Sequence, residues 1–289
     1  MTLIQALQQS AHALSINGID DSHIEARILL GHITKLSPVQ IYTLTEQTLS
    51  QEQERTLYEL VERRLYREPT AYIVNRREFY GIDFYVDSRV LIPRQETELL
   101  VDAALESFKN GPYLPSPPVI ADIGTGCGAT AISLALNLPR SKIYATDSSY
   151  PALKVARLNC KHHKVTRRVI LLQGNLLEPI PETVDLIVAN LPYVKSSELE
   201  NLSPEITRFE PRTAIDGGAN GLKFIHRLLE QTEGKISHRG CLLLEIGQNQ
   251  EQDVIRLIHS CLKKVSFTFI PDLNGIKRVV KIDFLKPVG

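Results

Sequence analysis

Four consecutive residues, Asn190-Leu191-Pro192-Tyr193, carry groups suited to holding a planar NH2 group. The side-chain oxygen of Asn190 and the backbone carbonyl of Leu191 can each accept one of its two protons. Pro192 fixes its own φ and has no N–H to donate, and Tyr193 offers a flat face for a planar amide or base. An ordinary Asn-x-Pro turn has the same composition, so the tetrapeptide alone leaves both interpretations open.

An NH2 group on an amide or an aromatic ring is a poor nucleophile because its lone pair is delocalised. Two acceptors on its protons would orient the nitrogen and stabilise the positive charge that develops on it. The residues before the tetrapeptide, 185–189, form a short apolar run with no alternation, which predicts a buried strand. Ligands of open α/β sheets bind beyond the carboxyl ends of strands, so the tetrapeptide falls where chemistry is expected.

A second candidate site element is a glycine-rich stretch, Gly-Thr-Gly-Cys-Gly at 124–128, between a predicted strand at 119–123 and an apolar helix. Glycines at such a turn let the backbone approach a ligand closely. The spacing differs from the Gly-x-Gly-x-x-Gly of dinucleotide-binding proteins, and no lysine follows, which argues against a P-loop nucleotide site. Asp122, at the end of the strand, is expected to hold this loop or to approach a cationic group.

Two further strand ends carry ligand-type residues. Asp147 ends the next predicted strand, where a carboxylate can accept both hydroxyls of a ribose. Asn175-Leu176 follows the third strand and could flank an adenine. In chain order the four strand ends then supply a glycine loop, a ribose carboxylate, an adenine flank and an amide clamp. S-adenosylmethionine fits this order because it has a ribose and an adenine but no phosphates.

Arg94, Glu96 and Thr97 precede an apolar helix pattern. Acidic residues in a first turn favour a helix start through the helix dipole, so a well-capped helix is one interpretation. The other is that these three side chains face the ligand. The residues predicted to bind the cofactor are Arg94, Glu96, Thr97, Asp122, Gly124, Thr125, Gly126, Cys127, Gly128, Asp147, Asn175, Leu176 and Asn190, and those predicted to act on the acceptor are Asn190, Leu191, Pro192 and Tyr193.

Strands and helices alternate from residue 119 onward, which predicts an α/β fold with a mostly parallel, Rossmann-like sheet and helices on both faces. The last two of seven predicted strands have only a loop between them, so they are expected to pair antiparallel. The predicted strands are 119–123, 142–146, 169–173, 185–189, 241–246, 267–270 and 279–284.

The N-terminal part reads as a small helical bundle. Apolar residues recur there at helical spacing, and Ser37-Pro38 and the Ser50/Gln53 pair are typical of helix starts. Residues 78–86 then predict a short β-hairpin that turns at 81–83. We therefore expect a helical domain at 1–75 that docks a partner, a hairpin linker at 76–92 and a catalytic domain at 93–289.

Composition excludes some function classes. The 289 residues have a formal net charge of zero, which argues against broad, salt-driven binding to nucleic acid. The four cysteines form no Cys-x-x-Cys pair and the eight histidines show no ligand spacing, so reduced thiols and no metal site are expected. Neither a signal peptide nor a membrane-spanning run is recognisable. A cytoplasmic monomer is the expectation.

The chain resembles the class I S-adenosylmethionine-dependent methyltransferases and, more narrowly, the bacterial peptide chain release factor glutamine methyltransferases (the PrmC/HemK family). The resemblance runs nearly from end to end. It implies methyl transfer from S-adenosylmethionine to the side-chain amide nitrogen of the glutamine in the Gly-Gly-Gln motif of release factors, with S-adenosylhomocysteine as product. The matching segments are Pro-Arg-Gln-Glu-Thr-Glu at 93–98, residues 122–128, Asp147, residues 190–193 and Phe-Glu-Pro-Arg at 209–212.

Two departures from the family pattern have expected consequences. Leu191 replaces the first proline of the family's Asn-Pro-Pro-Tyr, which keeps the backbone carbonyl but predicts a looser loop. Asn175-Leu176 stands where the family often has Asp and an aromatic residue, so a weaker grip on the adenine is expected.

Three alternatives stay open. An amino-methyltransferase of RNA or DNA would share the tetrapeptide, since Asn-Leu-Pro-Tyr is also typical of rRNA adenine dimethyltransferases. Those enzymes begin close to the cofactor loop, whereas here a helical module and a hairpin precede it, and the neutral charge also counts against them. A sibling enzyme that methylates a glutamine of a large-subunit ribosomal protein is poorly separated by sequence. An inactive scaffold is disfavoured by the intact Asn190, Asp147 and glycine loop.

Overall fold

The computed structural model describes residues 1–110 and 117–284, and the chain divides into two compact units. The first unit comprises Met1–Arg76 together with Ser203–Phe209, and the second comprises Arg77–Leu202 and the chain from Glu210 onward. The hairpin therefore clusters with the second unit, and the segment Ser203–Phe209 clusters with the N-terminal helices. The functional division at 1–75, 76–92 and 93–289 stays a prediction.

The first unit is helical, as expected, and its helices begin at sequence-encoded caps. Ser37 and Ser50 each accept from the backbone N–H three residues on, and glutamines at those positions bond back to the cap, so both predicted helix starts are confirmed. A third capping box joins Thr2 and Gln5. The helices are α1 (Leu3–Ile16), α2 (Ser22–Thr34), α3 (Pro38–Thr43), α4 (Gln51–Leu65) and α5 (Thr70–Ile73), together with Pro204–Phe209 from later in the chain.

A buried arginine connects the late segment to the helices of this unit. Arg64 of α4 is 5% exposed and pairs with both Glu25 and Glu205, the latter over 2.9 Å. Glu205 also accepts from Arg67 over 3.3 Å, and Glu25 accepts from Thr70 over 2.7 Å. Because a buried guanidinium needs acceptors on its several N–H groups, this network fixes Ser203–Phe209 within the first unit.

The second unit contains a two-stranded hairpin and a seven-stranded sheet. The sheet order is β5-β4-β3-β6-β7-β9-β8, in which β3 to β7 are parallel and β9 runs antiparallel to both of its neighbours. The predicted fold class, including the antiparallel final pair, is confirmed. The strands are β1 (Arg77–Phe79), β2 (Ile82–Phe84), β3 (Val119–Ile123), β4 (Lys142–Asp147), β5 (Val169–Gln173), β6 (Val184–Ala189), β7 (Ile236–Glu245), β8 (Val265–Pro271) and β9 (Lys277–Phe284).

Helices cover the sheet, and all six residues of β6 are buried. A central parallel strand with both faces covered reads as a continuous apolar run, which is why residues 185–189 showed no alternation. Short 3-10 turns lie at Gln95–Thr97, Ser196–Asn201 and Arg212–Ala214. In chain order the helix Pro204–Phe209 of the first unit is α9. The helices of the second unit are α6 (Glu98–Asn110), α7 (Ala129–Asn137), α8 (Tyr150–His162), α10 (Lys223–Gln231) and α11 (Glu251–Cys261).

Two local expectations were wrong in position. The hairpin turns at Tyr80-Gly81 and not at 81–83, because Phe79 pairs with Ile82 and the two turn residues have φ of +53° and +73°. Strand β7 begins at Ile236 and not at 241, and it pairs with β6. The polar residues and the glycine that follow Ile236 interrupt the apolar pattern, so the sequence did not indicate this part of the strand. Neither shift moves a predicted site residue.

Within residues 1–110 and 117–284, no helix has the length and apolar character needed to cross a membrane. The same ranges contain no group of three or more His, Cys, Asp or Glu residues arranged to hold a metal ion. All four cysteines are free thiols, three of them buried.

Candidate functional site

The tetrapeptide at 190–193 follows the central strand of the sheet. Ile123 of β3 pairs with Ala189 of β6, and Ala189 pairs with Leu244 of β7, so three strands end at one level. A Cβ built on Gly124 would lie 3.3 Å from the Leu191 side chain. The register therefore brings the glycine loop and the tetrapeptide together at the carboxyl edge, as the sequence predicted.

A hydrogen bond within the second unit orients the amide of Asn190. Its Nδ2 donates to Oγ1 of Thr97 over 2.9 Å. Thr97 ends the 3-10 turn Gln95–Thr97 and is 6% exposed. Because Nδ2 is engaged, the side-chain oxygen Oδ1 is the atom left to accept a proton from an incoming NH2 group. Thr97 was predicted to contact the cofactor, and the structure places it against Asn190.

Gln250, which the sequence analysis missed, holds the backbone of the tetrapeptide. Its Nε2 donates to the Tyr193 carbonyl over 3.1 Å, and its Oε1 accepts from the Gly247 N–H over 2.8 Å. Val194 extends this support through a bond from its N–H to the Ile215 carbonyl over 3.1 Å. The loop with Leu191 in place of proline is thus held by hydrogen bonds downstream of that position.

Two glycines make room for the same loop. A Cβ on Gly217 would lie 2.7 Å from the Pro192 carbonyl oxygen, and one on Gly221 would overlap the Tyr193 carbonyl oxygen. Gly221 also has a φ of +74°, a region that disfavours other residues. The glycines at 217, 218 and 221 were visible in the sequence, but only the fold shows that they face residues 192 and 193.

Tyr193 is half-buried and lies close to the carboxyl of Glu245, the last residue of β7. Burial and the negative charge of Glu245 raise the pKa of Tyr193 to about 12, against the opposing effect of Arg278 and Arg94. The phenol therefore keeps its proton and stays a neutral ring on which a planar group can pack. Sequence reasoning missed Glu245 because it lies inside an apolar strand pattern.

The glycine loop adopts backbone angles that glycine alone adopts freely. Gly124, Gly126 and Gly128 have φ of +73°, +55° and +87°. A Cβ on Gly126 would meet nothing closer than 4.0 Å, so the space above the middle of the loop is open. Cys127 is buried, which raises the pKa of its thiol to about 12. The loop thus offers backbone groups to a ligand, with the thiol turned inward.

Asp122 stabilises this loop from below. Its Oδ2 accepts from the Thr125 hydroxyl over 2.6 Å and from the Ala131 N–H over 3.2 Å. Burial raises the pKa of Asp122 to about 6, although both hydrogen bonds oppose the shift. Of its two expected roles, holding the loop is the one that these contacts support.

Asp147 lies at the end of β4 beside the loop. Its Oδ2 accepts from the Gly126 N–H over 2.9 Å and its Oδ1 accepts from the Ser149 N–H over 2.8 Å. Burial raises the pKa of this carboxyl above its ordinary value, against both bonds. Each oxygen retains a lone pair, so the carboxylate can still accept from two ribose hydroxyls.

The predicted adenine flank is only partly available. Leu176 has a φ of +50° and its side chain belongs to the hydrophobic core. The Asn175 amide donates to Oε1 of Glu178 over 2.6 Å, which caps the following turn. Neither side chain is therefore free to lie flat on a base, and the weaker grip on the adenine stays a prediction.

Arg94 and Glu96 take different positions from each other. Arg94 forms an ion pair of 2.5 Å with Glu210, the acid of the Phe-Glu-Pro-Arg segment, and Glu210 also accepts from the Ile92 N–H over 3.2 Å. Glu96 is exposed. The structure thus joins two of the motifs that carried the family resemblance, residues 93–98 and 209–212.

These donors and acceptors fit a nucleoside without phosphates. The open space over Gly126 leaves room for a group lying against the backbone, and Asp147 can bind a ribose. The loop at 124–128 carries no cation that would pair with a phosphate. S-adenosylmethionine has this chemistry, so the residues present fit the expected cofactor.

Comparison with known proteins gives the family. A model described as "PrmC N-terminal domain" matches residues 5–74, and one described as "Methyltransferase small domain" matches residues 101–208. Two proteins named release factor glutamine methyltransferase, from Moorella thermoacetica and Geobacter sulfurreducens, are 38% and 35% identical to this chain. Both alignments cover 96% of this chain, and 97% and 95% of the relatives. The chain belongs to the release factor glutamine methyltransferase family.

The resemblance drawn from the motifs is thereby confirmed, and with it the methyltransferase class and S-adenosylmethionine as the methyl donor. Solved structures support the same fold. The hMettl16 catalytic domain in complex with an RNA hairpin has a TM-score of 0.58 at 14% identity, covering 73% of this chain and 78% of that one. A methyltransferase from Pyrococcus furiosus has a TM-score of 0.52 at 18% identity, covering 82% and 100%.

Proposed function

We propose that this chain transfers the methyl group of S-adenosylmethionine to the side-chain amide nitrogen of the glutamine in the Gly-Gly-Gln motif of peptide chain release factors. The observation that carries the proposal is the near-full-length similarity to proteins named for this activity, such as the 38% identity to the protein from Moorella thermoacetica. The site geometry supports it, because Asn190 presents an acceptor where an amide NH2 group needs one.

In the proposed reaction, Asn190 Oδ1 and the Leu191 carbonyl accept the two amide protons and orient the nitrogen. The Tyr193 ring packs on the amide plane, and Pro192 keeps the loop rigid. Bound S-adenosylmethionine supplies the methyl group, whose bond to sulfur breaks with its electron pair going to sulfur. The amide nitrogen then carries positive charge, and one of its protons passes to water.

Positioning and electrostatics supply most of the rate in this scheme. Binding restricts the translational and rotational freedom of both reactants before the reaction begins, which lowers the activation free energy by several kcal/mol. The two acceptors stabilise charge that develops only in the transition state, and removal of one such group typically costs about 10²–10³-fold in kcat. No side-chain base is required, because a proton on a positively charged amide nitrogen is strongly acidic.

Cofactor binding is assigned to the edge formed by β3 and β4. Asp147 accepts from the ribose, and the backbone of Gly124 to Gly128 lines the rest of the site. The buried Leu176 and the capping Asn175 favour a modest grip on the adenine. Thr97 serves the acceptor side through Asn190.

The first unit is assigned the docking of the release factor. This unit contains residues 5–74, which the "PrmC N-terminal domain" model matches, and the site residues named above all lie in the second unit. A cytoplasmic location and a monomeric state belong to the same proposal, since release factors act in translation and the site is built from one chain. A direct nucleic-acid substrate is not part of it.

A labelled-methyl transfer assay tests the proposal. The enzyme is offered four acceptors: a release factor, the same factor with its motif glutamine changed to alanine, ribosomal proteins and ribosomal RNA. Label on the intact factor alone is the expected result. Label on a ribosomal protein would favour the sibling glutamine methyltransferase, and label on RNA would favour an amino-methyltransferase of nucleic acid. Equal label on both factors would contradict the glutamine as acceptor.

A further inference from the structure

Glu245 is a buried carboxyl that the proposed reaction does not use. It ends β7 at 2% exposure, next to the strand that leads into Asn190, since Leu244 pairs with Ala189. Its Oε2 has no hydrogen-bond partner among the described residues. An unpartnered carboxylate oxygen in such a position is costly to the fold, so its retention beside a reactive site calls for a functional reason.

The neighbours of Glu245 are the residues that orient the clamp. The hydroxyls of Thr97 and Tyr193 lie beside its carboxyl and favour the ionised form. The charged groups that face it are Glu96 and Arg278, and Arg278 is also paired with Asp272 over 3.2 Å. Tyr193 is the titratable group in direct contact, and its own surroundings add Arg94. Glu245 is thus only partly compensated by positive charge.

The direction of the hydrogen bonds follows from counting protons. A threonine hydroxyl has one proton and can donate only once. Since Thr97 Oγ1 accepts from Asn190 Nδ2, its own proton is available for Glu245. An ionised carboxylate can only accept, so it fixes this direction. A protonated Glu245 could instead donate to Thr97, which would then donate to Asn190 and turn the amide around.

A reversed Asn190 amide would turn its own NH2 group toward the NH2 group of the substrate. Both groups only donate hydrogen bonds, so no bond would form between them. We propose that ionised Glu245 is a positioning residue, which acts through Thr97 to keep the Asn190 oxygen facing the acceptor. The inference rests on the proposed function and adds to it a residue outside the tetrapeptide. The acceptor that benefits is any planar amide or amine bound at Asn190.

The charge state of Glu245 changes near neutrality. Burial raises its pKa to about 7; the nearby Thr97 hydroxyl opposes the shift, and the negative charge of Glu96 adds to it. Below that pH the carboxyl gains a proton and the Asn190 orientation is lost. The rate is therefore expected to fall as the pH drops through about 7 and to level off above it.

The test compares Glu245→Gln with Glu230→Gln, a matched change at an exposed glutamate of α10. Rates are measured at saturating cofactor and release factor from about pH 6 to about pH 8.5. The wild-type enzyme and E230Q should share the acidic fall, whereas E245Q should be flat, with kcat reduced about 10-fold above neutrality because its amide can point either way. The dissociation constant for S-adenosylmethionine should stay the same in all three.

Infrared difference spectroscopy supplies a readout besides activity. A protonated carboxyl band should disappear as the pH rises through about 7 in the wild-type enzyme and should be missing from E245Q. Thr97→Val, which removes the central hydroxyl, should lower kcat about as much as E245Q, and Thr97→Ser should recover most of the loss.

The outcomes separate the two proposals. An active wild-type enzyme whose E245Q variant keeps the same acidic fall would overturn the role of Glu245, as would T97S that is no better than T97V. A wild-type enzyme that methylates RNA or another protein and never the release factor would contradict the proposed function; the same pH comparison on that acceptor would then decide the role of Glu245.

Discussion

The amide of Asn190 donates to the hydroxyl of Thr97 over 2.9 Å, although 93 positions separate the two residues in the chain. This bond determines which end of the Asn190 amide faces an acceptor. Residues 93–98 and 190–193 are two of the segments that match the family pattern. This bond joins them into one site. The consequences can be tested by removing each part in turn.

Asn190→Ala should lower methyl transfer to the release factor by about 10³-fold, because the acceptor loses the oxygen that orients it and stabilises its charge. The dissociation constant for S-adenosylmethionine should change less than about threefold, as measured by isothermal titration calorimetry, since other strand ends hold the cofactor. Asn190→Ala with full activity would exclude the clamp, and an unfolded variant by circular dichroism would assign the residue to stability.

Asp147→Ala should weaken S-adenosylmethionine binding about 10- to 100-fold, because two ribose hydroxyls lose their acceptor. The carboxylate also accepts from the Gly126 and Ser149 N–H groups, so a change in the loop could contribute to the loss. Asp147→Asn is the matched control, since its side chain has the same shape and keeps one oxygen that can accept from a backbone N–H group. Unchanged calorimetric binding in Asp147→Ala would exclude a role in holding the ribose.

The sequence predicted the parts of the site that are local in the chain. The strand at 185–189, the glycine loop and Asp147 all follow from runs of a few residues, and the order of strands made their meeting at one edge predictable. Gln250 and Glu245 could not be found in this way, because their roles depend on contacts with Tyr193 and Thr97 that only the folded sheet creates. The burial of Leu176 could not be foreseen for the same reason, since its φ of +50° and its place in the core depend on the folded chain.

Gly221→Ala should reduce both stability and transfer, because an added Cβ overlaps the Tyr193 carbonyl oxygen that Gln250 also contacts. Gly234→Ala is the matched control: both glycines have a φ of +74°, but a Cβ on Gly234 meets nothing within 4 Å. We expect about 1 kcal/mol of destabilisation for Gly234→Ala from the backbone angle alone. Gly221→Ala should cost more in urea unfolding and should lower kcat at least tenfold. Equal effects of the two variants on kcat would exclude a role of Gly221 in shaping the loop.

Arg64→Ala should destabilise the chain by about 3 kcal/mol, because Glu25 and Glu205 would be left near each other without the cation that they share. Arg55→Ala is the control, since Arg55 is exposed and its pair with Glu59 is 3.7 Å long. That change should cost less than about 0.5 kcal/mol. Urea titrations of both variants give the comparison, and similar midpoints would show that the buried network contributes little.

Glu245→Gln should raise stability at high pH while it lowers activity. A carboxyl whose folded pKa is about 7, above its ordinary value of 4.5, binds its proton more tightly in the folded state. The wild-type protein therefore loses stability as the pH rises from about 4.5 to about 7, by up to about 3 kcal/mol. The neutral glutamine does not titrate, so the variant should keep that stability at pH 8, and the two proteins should differ least near pH 4.5. Thermal unfolding across this range measures the difference, and parallel curves would mean that Glu245 is already ionised at low pH and cannot act as the group that titrates near neutrality.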